Sequence, residues 1–430
     1  MKVGGTVRVP GDKSITHRAL LLAAMAPGRS RVTGALTALD ARSTAGVLRR
    51  LGARISPLRP GAPVVVDGQG RLHPPTGGRL DCGNSGTTAR LLLGLLAAHP
   101  FAATLTGDAS LRRRPMRRVT DPLAAMGADV RTGRHDGLPL TIRGGALRAI
   151  EWELPVSSAQ VKSAILLAAL AGGVPVRLRE PAGRSRDHTE RLLRAFGFRV
   201  DEERDGRVSF EPVGRLEPFD LAVPGDASSA AFLLGAALLA EAGELRVEGV
   251  GVNPTRTGFL DVLARMGARV RRTGEHVAAG EPVAALVAES AELRGTEAGA
   301  GAEGPTIVDE VPLLAVLAAR ARGESVFREM GELRVKESDR LDLVARNLRA
   351  LGGRAEARGD DLFVEGDPGF VPAGRVRTAG DHRIAMAFAV LGTVPGARVE
   401  VDEPDCAEVS FPGFVRVLAG LASGDGEAAA

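Results

Sequence analysis

A chain of 430 residues is too long for one ordinary domain and long enough for two. Hydrophobic residues make up 44% of it, so a full core can be buried, and a formal net charge of only +4 argues against bulk nucleic-acid binding. Its two cysteines, Cys82 and Cys406, form neither a metal-ligand motif nor a disulfide framework. Because no signal-peptide core or membrane span is apparent, we expect a reducing, cytoplasmic location.

The predicted elements repeat along the chain. Six times, a short loop of small polar residues precedes an apolar, Ala/Leu-rich segment of helical length. The loops begin at Gly11, Gly83, Val156, Gly225, Val308 and Gly380. Successive loops are 69 to 83 residues apart, and the apolar segments carry almost no charge on any face, which is typical of buried helices.

A second mark has the same period. Five amphipathic segments end in an apolar residue followed by glycine, which suits a left-handed helix C-cap. These glycines are Gly52, Gly127, Gly197, Gly267 and Gly352. Each unit of about 70 residues is therefore predicted to run strand, helix, strand, helix and further strands. Residues 274–305 are predicted to form an enlarged surface loop, and residues 424–430 a disordered tail.

The polar loops place the N-termini of buried helices, whose unpaired N–H groups attract anions. Ser, Thr, Asp and Asn at these positions are also ordinary N-caps, and capping alone accounts for most of each loop. Capping does not account for Lys13, Arg18, Gln160, His382 and Arg383, which belong to the same short segments. The repeat therefore predicts that small anions bind at several helix N-termini.

Lysine is rare in this chain. Only four of the 56 basic residues are lysine, namely Lys2, Lys13, Lys162 and Lys336. An ammonium group can lose a proton and a guanidinium effectively cannot, so Lys13 and Lys336 are candidates for roles that arginine cannot fill. Chance survival is the alternative. Lys162 has no predicted charge partner, and a position on a helix surface is favoured over a contact with the binding cleft.

Four segments combine basic and polar side chains. In residues 11–18, Arg18 lies on the same helix face as Ser14, which with Lys13 suits a phosphate or carboxylate. Residues 112–118 form an arginine-rich cluster whose alternative role is a solvated or nucleic-acid-facing loop. Residues 334–340 place Lys336 and Arg340 on one face if the stretch is helical, and residues 381–383 read Asp-His-Arg.

In order along the chain, these motifs resemble the enolpyruvyl transferase family, and within it the branch that acts on shikimate 3-phosphate. The matching segments are Lys13-Ser14 with Arg18, residues 83–87, residues 105–108 with Arg114-Pro115, Ser158-Ala159-Gln160, residues 334–340 and residues 381–383. No single motif is decisive, but together they are highly specific and cover essentially the whole chain.

The resemblance implies an α/β fold of two domains, each an inverted α/β barrel of three units, which agrees with six pseudo-symmetric βαβαββ-type units. Domain I would comprise residues 1–12 and 227–430, and domain II residues 13–226. Hinges are expected near residues 10–13 and 224–227, and closure across a cleft would be driven by neutralisation of the anionic substrates.

The resemblance also implies a reaction. The 5-hydroxyl of shikimate 3-phosphate attacks C2 of phosphoenolpyruvate, C3 takes a proton, and the tetrahedral adduct expels phosphate. This addition–elimination belongs to the shikimate pathway, which leads to chorismate and the aromatic amino acids. No metal or other cofactor is implied, and the expected partners are the two small substrates, without nucleic acid or membrane, for a monomeric protein.

By matching positions, the resemblance implies two sets of binding residues. For shikimate 3-phosphate they are Lys13, Ser14, Arg18, Ser158, Ala159, Gln160, Arg186, Asp309 and Lys336. For phosphoenolpyruvate they are Lys13, Gly86, Arg114, Gln160, Arg340 and Arg383.

Three of the matching residues are candidates for proton transfer. Asp309 is the candidate base for the 5-hydroxyl, Glu337 for proton movement at C3, and Lys13 the candidate acid beside the leaving phosphate. The structural alternatives are a helix N-cap for Asp309 and an i,i+3 ion pair with Arg340 for Glu337.

The sequence departs from the enteric members of the family at two positions. Val409 stands where they carry a lysine, which removes one candidate phosphoenolpyruvate contact, and Glu332 stands where they carry asparagine. Gly86 resembles the glyphosate-sensitive form, whereas Ser158-Ala159-Gln160 resembles the less sensitive branch.

The sequence allows three other interpretations. The sister enzymes that act on UDP-N-acetylglucosamine have a loop cysteine where Ala109 stands, and asparagine where Ser14 stands. An RNA-terminal phosphate cyclase-like or other nucleic-acid-binding repeat protein would use residues 112–118, but its histidine pattern is missing and only 3% of residues are aromatic. A catalytically inactive binding module is disfavoured by the intact set of Lys13, Asp309 and Lys336.

Overall fold

A computed structural model describes residues 2–133, 136–181, 183–203 and 205–423. Residues 424–430, which the sequence predicts as a tail, lie outside the described residues. The chain divides into two compact units. Unit 1 comprises Met1–Pro10, Pro224–Val277 and Pro282–Ala430, and unit 2 comprises Gly11–Val223 and Ala278–Glu281.

The described residues form 22 strands and 14 α-helices. The strands are β1 Gly5–Arg8, β2 Pro27–Thr33, β3 Arg54–Ile55, β4 Val64–Gln69, β5 Leu80–Asp81, β6 Ala102–Thr106, β7 Asp129–Thr132, β8 Leu140–Arg143, β9 Ile150–Glu153, β10 Val176–Arg179, β11 Val200–Glu202, β12 Arg207–Phe210, β13 Asp220–Ala222, β14 Glu244–Gly251, β15 Val270–Ala278, β16 Glu281–Glu289, β17 Glu297–Ala298, β18 Gly323–Phe327, β19 Arg354–Arg358, β20 Asp361–Gly366, β21 Ala373–Val376 and β22 Arg398–Val401. The helices are α1 Lys13–Met25, α2 Leu39–Arg50, α3 Gly86–Ala97, α4 Ala109–Arg113, α5 Arg117–Met126, α6 Ala159–Gly172, α7 His188–Ala195, α8 Ala227–Leu238, α9 Gly258–Arg265, α10 Gly304–Ile307, α11 Val311–Ala318, α12 Arg340–Ala350, α13 His382–Leu391 and α14 Phe414–Ser423.

The sheets of unit 2 share one strand order. They run β5-β6-β8-β7, β9-β10-β12-β11 and β13-β2-β4-β3. In each, the first two strands pair in parallel and the third and fourth add antiparallel. Unit 1 contains the sheets β1-β14-β16-β15, β17-β18-β20-β19 and β21-β22, and each of these also begins with a parallel pair.

Parallel neighbours need a crossover connection, and the buried helices supply it. Helix α3 connects β5 to β6, α6 connects β9 to β10, and α13 connects β21 to β22. In two crossovers the strand before the helix does not pair with the strand after it. Strand β1 precedes α1 and β2 but pairs with β14, and β13 precedes α8 and β14 but pairs with β2. The chain therefore leaves unit 1 after Pro10 and returns to it at Pro224.

The six predicted apolar helices are α1, α3, α6, α8, α11 and α13, and each is mostly or entirely buried. One core cluster fills each unit. Gly94 of α3 lies so close to the Ala164 carbonyl of α6 that a Cβ atom would overlap it, so these two helices pack backbone against backbone. The five glycines predicted as C-caps all have φ between 88° and 116°, which confirms that prediction.

The prediction of a surface loop over residues 274–305 is wrong. Strands β15 and β16 occupy most of the first half of it, and β16 is buried along nearly its whole length between β14 and β15. Alanine and glutamate have low strand propensity, but burial against neighbouring strands decides such cases.

Among the described residues, no helix has both the length and the apolar character needed to span a membrane.

Candidate active site

The helix N-termini of unit 2 differ in how they are capped. Asp12 accepts a hydrogen bond from the Ile15 N–H at 2.9 Å on α1, and Ser85 accepts one from the Thr88 N–H at 3.1 Å on α3. Ser158, at the start of α6, makes no side-chain cap bond. Capping therefore explains the polar residue at α1 and α3 but leaves the Ser158 side chain for another role.

In unit 1, too, some buried helices have a side-chain N-cap and one does not. Asp226 caps α8 and Asp381 caps α13, with oxygen–nitrogen distances of 3.0 and 2.9 Å. The N-cap position of α11 is Glu310, which makes no side-chain cap bond. The neighbouring Asp309 is therefore not the cap that the structural alternative required.

Arg18 lies on α1 and is only 2% exposed. Its Nε donates to Thr189 Oγ1 at 2.7 Å, its Nη2 to Ser163 Oγ at 2.6 Å, and its Nη1 to the Ser14 carbonyl at 2.9 Å. Burial lowers the pKa of the Arg18 guanidinium to about 10, although the carboxylates of Glu190, Asp12 and Glu281 act to raise it. All three of its hydrogen-bond partners are neutral oxygens, so this buried cation is suited to an anionic ligand.

Lys13 begins α1 and forms an ion pair with Asp40 in the first turn of α2. The Asp40 side chain is 5% exposed and that of Lys13 is 22% exposed, so Lys13 is the more accessible member of the pair. His17, one turn along α1, is fully buried and bonds Thr44 Oγ1 at 2.6 Å. Burial and the charges of Lys13 and Arg18 lower the pKa of His17 well below its usual 6.5.

Two guanidinium groups lie beside the N-terminus of α3. A Cβ atom added to Gly86 would stand 2.8 Å from Arg90 Nη1 and 3.2 Å from Arg114 Nη1. Arg90 Nη1 also donates to Gln160 Oε1 at 2.7 Å, and Arg114 Nη2 donates to Asn84 Oδ1 at 2.9 Å. Two cations at the positive end of a buried helix form a concentrated anion-binding surface.

Gln160 connects α6 to α3, because its Nε2 donates to Thr87 Oγ1 at 3.0 Å. The predicted residues Gly86, Arg114 and Gln160 therefore lie together, and Arg90 joins them. Sequence reasoning missed Arg90. The sequence feature that could have indicated Arg90 is its position as a charged residue, one helical turn after Gly86, in an otherwise apolar segment.

In unit 1, Arg340 is 1% exposed and lies among three carboxylates. Its Nε donates to Asp381 at 2.8 Å, its Nη1 to Asp309 at 3.3 Å, and its Nη2 to Glu337 at 2.5 Å. Burial alone would lower the pKa of Arg340, but the carboxylates, Asp381 first, outweigh it and raise that pKa. Arg340 also outweighs the effect of burial on Asp381, whose pKa is lowered.

Arg383 is the second guanidinium of this cluster. Its Nη1 donates to the Asp309 carbonyl at 2.9 Å, and its Nη2 lies 3.4 Å from Asp309 Oδ2. The carboxylate of Asp309 therefore forms ion pairs with both Arg340 and Arg383. The predicted i,i+3 ion pair of Glu337 with Arg340 is present, so the structural alternative for Glu337 describes a real contact.

The prediction for Lys162 is wrong, and the condition attached to the prediction for Lys336 is not met. Lys336 does not share a helix face with Arg340, because Asp339 caps α12 and the helix begins only at Arg340. Lys336 follows a 3₁₀-helix and lies 3.7 Å from Glu332. Lys162 is not on a helix surface, since it is 1% exposed and its Nζ lies 2.8 Å from carboxylates of both Glu180 and Glu190.

The buried, neutral His17 predicts a loss of stability in mild acid. Its folded-state pKa lies below the unfolded value of 6.5, so its contribution is complete above pH 6.5 and is lost as the pH falls below it. We expect the free energy of unfolding to fall less steeply between pH 6.5 and 5 in His17→Gln, with a slope difference approaching about 1.4 kcal/mol per pH unit.

Denaturant unfolding at several pH values measures this slope. His99, whose pKa burial also lowers, acts in the same direction and remains in both proteins, so the difference isolates His17. Above pH 7.5 the two profiles should run parallel, which provides an internal control. Parallel profiles down to pH 5 would contradict the prediction.

The chain is similar to known proteins over nearly its whole length. A family model described as EPSP synthase (3-phosphoshikimate 1-carboxyvinyltransferase) matches residues 1–418. A relative from Thermus thermophilus named 3-phosphoshikimate 1-carboxyvinyltransferase is 51% identical over 417 residues, covering 96% of this chain and 95% of the relative. A relative of the same name from Alkalilimnicola ehrlichii is 49% identical and covers 99% of this chain and 95% of its own length.

Solved structures give the same result. EPSP synthase from Acinetobacter baumannii superposes with a TM-score of 0.84 at 39% identity, covering 98% of this chain and 96% of that one. The enolpyruvyl transferase NikO from Streptomyces tendae shares the fold, with a TM-score of 0.77 at 21% identity, 98% of this chain and 95% of that one being covered. With a family model that spans nearly all of its length and relatives at about half identity, the chain belongs to the EPSP synthase family.

Proposed function

We propose that this chain transfers the enolpyruvyl group of phosphoenolpyruvate to the 5-hydroxyl of shikimate 3-phosphate and releases phosphate. Its membership of the EPSP synthase family supports this activity and its place in the shikimate pathway. The observation that carries the proposal is the set of buried or half-buried cations at helix N-termini in unit 2, above all Arg18, which has only neutral oxygens as hydrogen-bond partners.

The proposal for the fold is based on the sequence repeat. Unit 1 and unit 2 are each proposed to be an inverted α/β barrel built from three βαβαββ-type repeats, with hinges near residues 10–13 and 224–227. The common strand order of the sheets supports the repeat, and the exchange of β1 and β13 supports the position of the hinges. The proposed domains are residues 1–12 with 227–430, and residues 13–226.

Shikimate 3-phosphate is proposed to bind the side chains that surround Arg18, together with two residues of unit 1. The uncapped start of α6 supports a role for Ser158, Ala159 and Gln160, and the electrostatic effect of Arg186 on Arg18 supports a role for Arg186. The full set is Lys13, Ser14, Arg18, Ser158, Ala159, Gln160, Arg186, Asp309 and Lys336. Charge-assisted hydrogen bonds from such residues suit both the phosphate and the carboxylate of this substrate.

Phosphoenolpyruvate is proposed to bind at the start of α3 and to the guanidinium groups of unit 1. Its set is Lys13, Gly86, Arg114, Gln160, Arg340 and Arg383. The convergence of Arg90 and Arg114 on Gly86 supports the first part. Arg340 already binds three carboxylates, and the carboxylate of phosphoenolpyruvate can replace one of them because it is the same chemical group.

The proton transfers are assigned to three residues. Asp309 accepts the proton of the 5-hydroxyl, Glu337 moves the proton at C3, and Lys13 donates a proton as phosphate leaves. Asp309 and Glu337 both form ion pairs with Arg340, which supports their assignment as two carboxylate bases held beside one cation. Lys13 is the only one of the three that carries a positive charge to the leaving group.

The remaining parts of the proposal concern surroundings. The protein is proposed to act as a cytoplasmic monomer that needs no metal or other cofactor. Its partners are proposed to be the two small anionic substrates, with neither nucleic acid nor membrane.

Phosphate release on mixing the purified protein with phosphoenolpyruvate and shikimate 3-phosphate tests the function. We expect release only when both substrates are present. Release with phosphoenolpyruvate and UDP-N-acetylglucosamine, but not with shikimate 3-phosphate, would overturn the assignment in favour of the sister reaction.

Gly86→Ala is expected to raise the KM for phosphoenolpyruvate by about tenfold, with kcat and thermal stability little changed. The added methyl would displace the Arg90 and Arg114 guanidinium groups by a few tenths of an ångström, since both are flexible side-chain ends. Steady-state kinetics with varied phosphoenolpyruvate measures the effect. Gly46→Ala is the matched control, because a Cβ at Gly46 of α2 meets no atom within 4 Å. Equal KM values in the two variants would contradict the prediction.

A further inference from the structure

Lys162 is a buried lysine that the proposed reaction does not use. It lies in the second turn of α6, between Gln160 and the Arg18 partner Ser163. Its ammonium group forms ion pairs at 2.8 Å with Glu180, just after β10, and with Glu190 of α7. All three side chains are at most 1% exposed.

Stability is a weak reason for such a cluster. Removing three charged groups from water carries a desolvation cost that often equals or exceeds the attraction between them, so well-packed neutral residues serve as well. Two carboxylates also outnumber the single ammonium group. Positioning of neighbouring residues therefore explains this buried cluster better than stability does.

The residues bound by Lys162 lie on one continuous segment of chain. Its Nζ also donates to the Ser185 carbonyl at 3.3 Å, and the Ser185 N–H donates to Glu180 at 3.1 Å. These bonds, with the two ion pairs, connect Glu180, Ser185 and Glu190 to α6. The segment carries Arg186, one of the proposed phosphate-binding residues, and Thr189, which accepts from Arg18.

Glu190 adds an electrostatic connection. It raises the pKa of both Lys162 and Arg18, so its carboxylate acts on two buried cations. Next to it, Thr189 Oγ1 donates to Ser163 Oγ at 2.7 Å, and both hydroxyls accept from Arg18. Without the ammonium group of Lys162, Glu190 would attract Arg18 directly and draw its guanidinium away from this hydroxyl pair.

We infer that Lys162, with Glu180 and Glu190, is a positioning residue that orients Arg18 and the Arg186 segment toward the phosphate and carboxylate of shikimate 3-phosphate. The inference rests on the proposed function. It assigns Lys162 no contact with substrate. It also explains why a lysine persists at a position where no proton transfer takes place.

The test replaces the whole cluster by neutral residues of similar shape, in the triple variant Lys162→Met, Glu180→Gln and Glu190→Gln. We expect the KM for shikimate 3-phosphate to rise about tenfold to 100-fold, as small misplacements of binding groups do, while the KM for phosphoenolpyruvate changes less than about threefold. Thermal unfolding should show a melting temperature within a few degrees of the parent, because none of the three replaced positions is left with a buried charge that has lost its partner.

A matched control removes an ion pair of the same unit that has no connection to Arg18. Arg177 and Glu151 form an exposed pair at 2.7 Å across β9 and β10, and Arg177→Met with Glu151→Gln should keep both KM values of the parent. If the triple variant does not fold, Glu190→Gln decides the matter, since the Lys162–Glu180 pair remains and only the carboxylate shared with Arg18 is lost. We expect its KM for shikimate 3-phosphate to rise severalfold.

An unchanged KM for shikimate 3-phosphate in a folded variant would show that the cluster is only structural and would overturn the inference. Failure of the proposed function looks different, because the parent itself would then release no phosphate with the two substrates. The parent assay therefore separates the two outcomes, and without parental activity the inference falls with the function.

Discussion

Lys13→Arg is expected to lower kcat for phosphate release by about 10²- to 10⁴-fold, the usual contribution of general acid–base catalysis, while both KM values stay within about threefold. The guanidinium would keep the positive charge and the ion pair with Asp40, so binding is retained. It cannot give up a proton at neutral pH, so a step that needs a proton donor fails. Steady-state phosphate release with each substrate varied in turn measures both quantities.

The chain offers a matched control for this substitution. Lys2 is exposed and lies outside the candidate site, so Lys2→Arg should leave kcat unchanged. Near-normal turnover in Lys13→Arg would refute the proton-transfer role and leave Lys13 as a source of charge alone. A large rise in KM with unchanged kcat would have the same meaning.

Arg340→Met is expected to lower the free energy of unfolding of unit 1 by about 3–5 kcal/mol, the typical cost of leaving buried charges without their partner. Arg340 is 1% exposed and binds Asp381, Asp309 and Glu337, of which Asp381 is fully buried. Methionine fills a similar volume but compensates none of the three carboxylates. Phosphate release should fall to background, since both candidate carboxylate bases lose their shared cation.

Hydrogen exchange of α12 amides measures this loss within unit 1 alone, which avoids treating a chain of two units as one two-state transition. Arg346→Met is the control, because Arg346 lies on the same helix and forms an exposed pair with Asp342 at 2.8 Å. Loss of that pair should cost less than about 1 kcal/mol. Equal protection of α12 in the two variants would contradict the prediction.

The repeat was predictable because its signs are local. An uncharged run of Ala and Leu one helix long identifies a buried helix, as in α8, in which every residue is buried. A glycine after the last apolar residue identifies the helix end through its left-handed backbone, as at Gly127. Strand β16 was missed because its alanines and glutamates carry no strand preference, and only the neighbours β14 and β15 show that it is buried.

In the candidate site, too, residues in local motifs were predictable and residues that depend on distant partners were not. Arg18 and Gly86 stood out because each belongs to a short motif at a helix start. Lys162 was misplaced because its partners, Glu180 and Glu190, follow 18 and 28 residues later, and no periodic pattern joins such distant residues. The sequence left open whether Lys336 shares a helix with Arg340, and the structure shows that Asp339 caps α12 after the lysine.

The pairing of β1 with β14 has a consequence for how the protein is made. Arg8 and its partner Glu248 are 240 residues apart, so at roughly 5–20 residues per second the first strand leaves the ribosome at least about ten seconds before its neighbour. During that interval the chain through Val223, nearly all of unit 2, is already available to fold around its own core. The first strand to be synthesised can thus pair only after nearly all of unit 2 has been made. A tag or truncation at the N-terminus will disturb the completion of folding, leaving the edge of β14 exposed to other chains, and will leave its beginning intact.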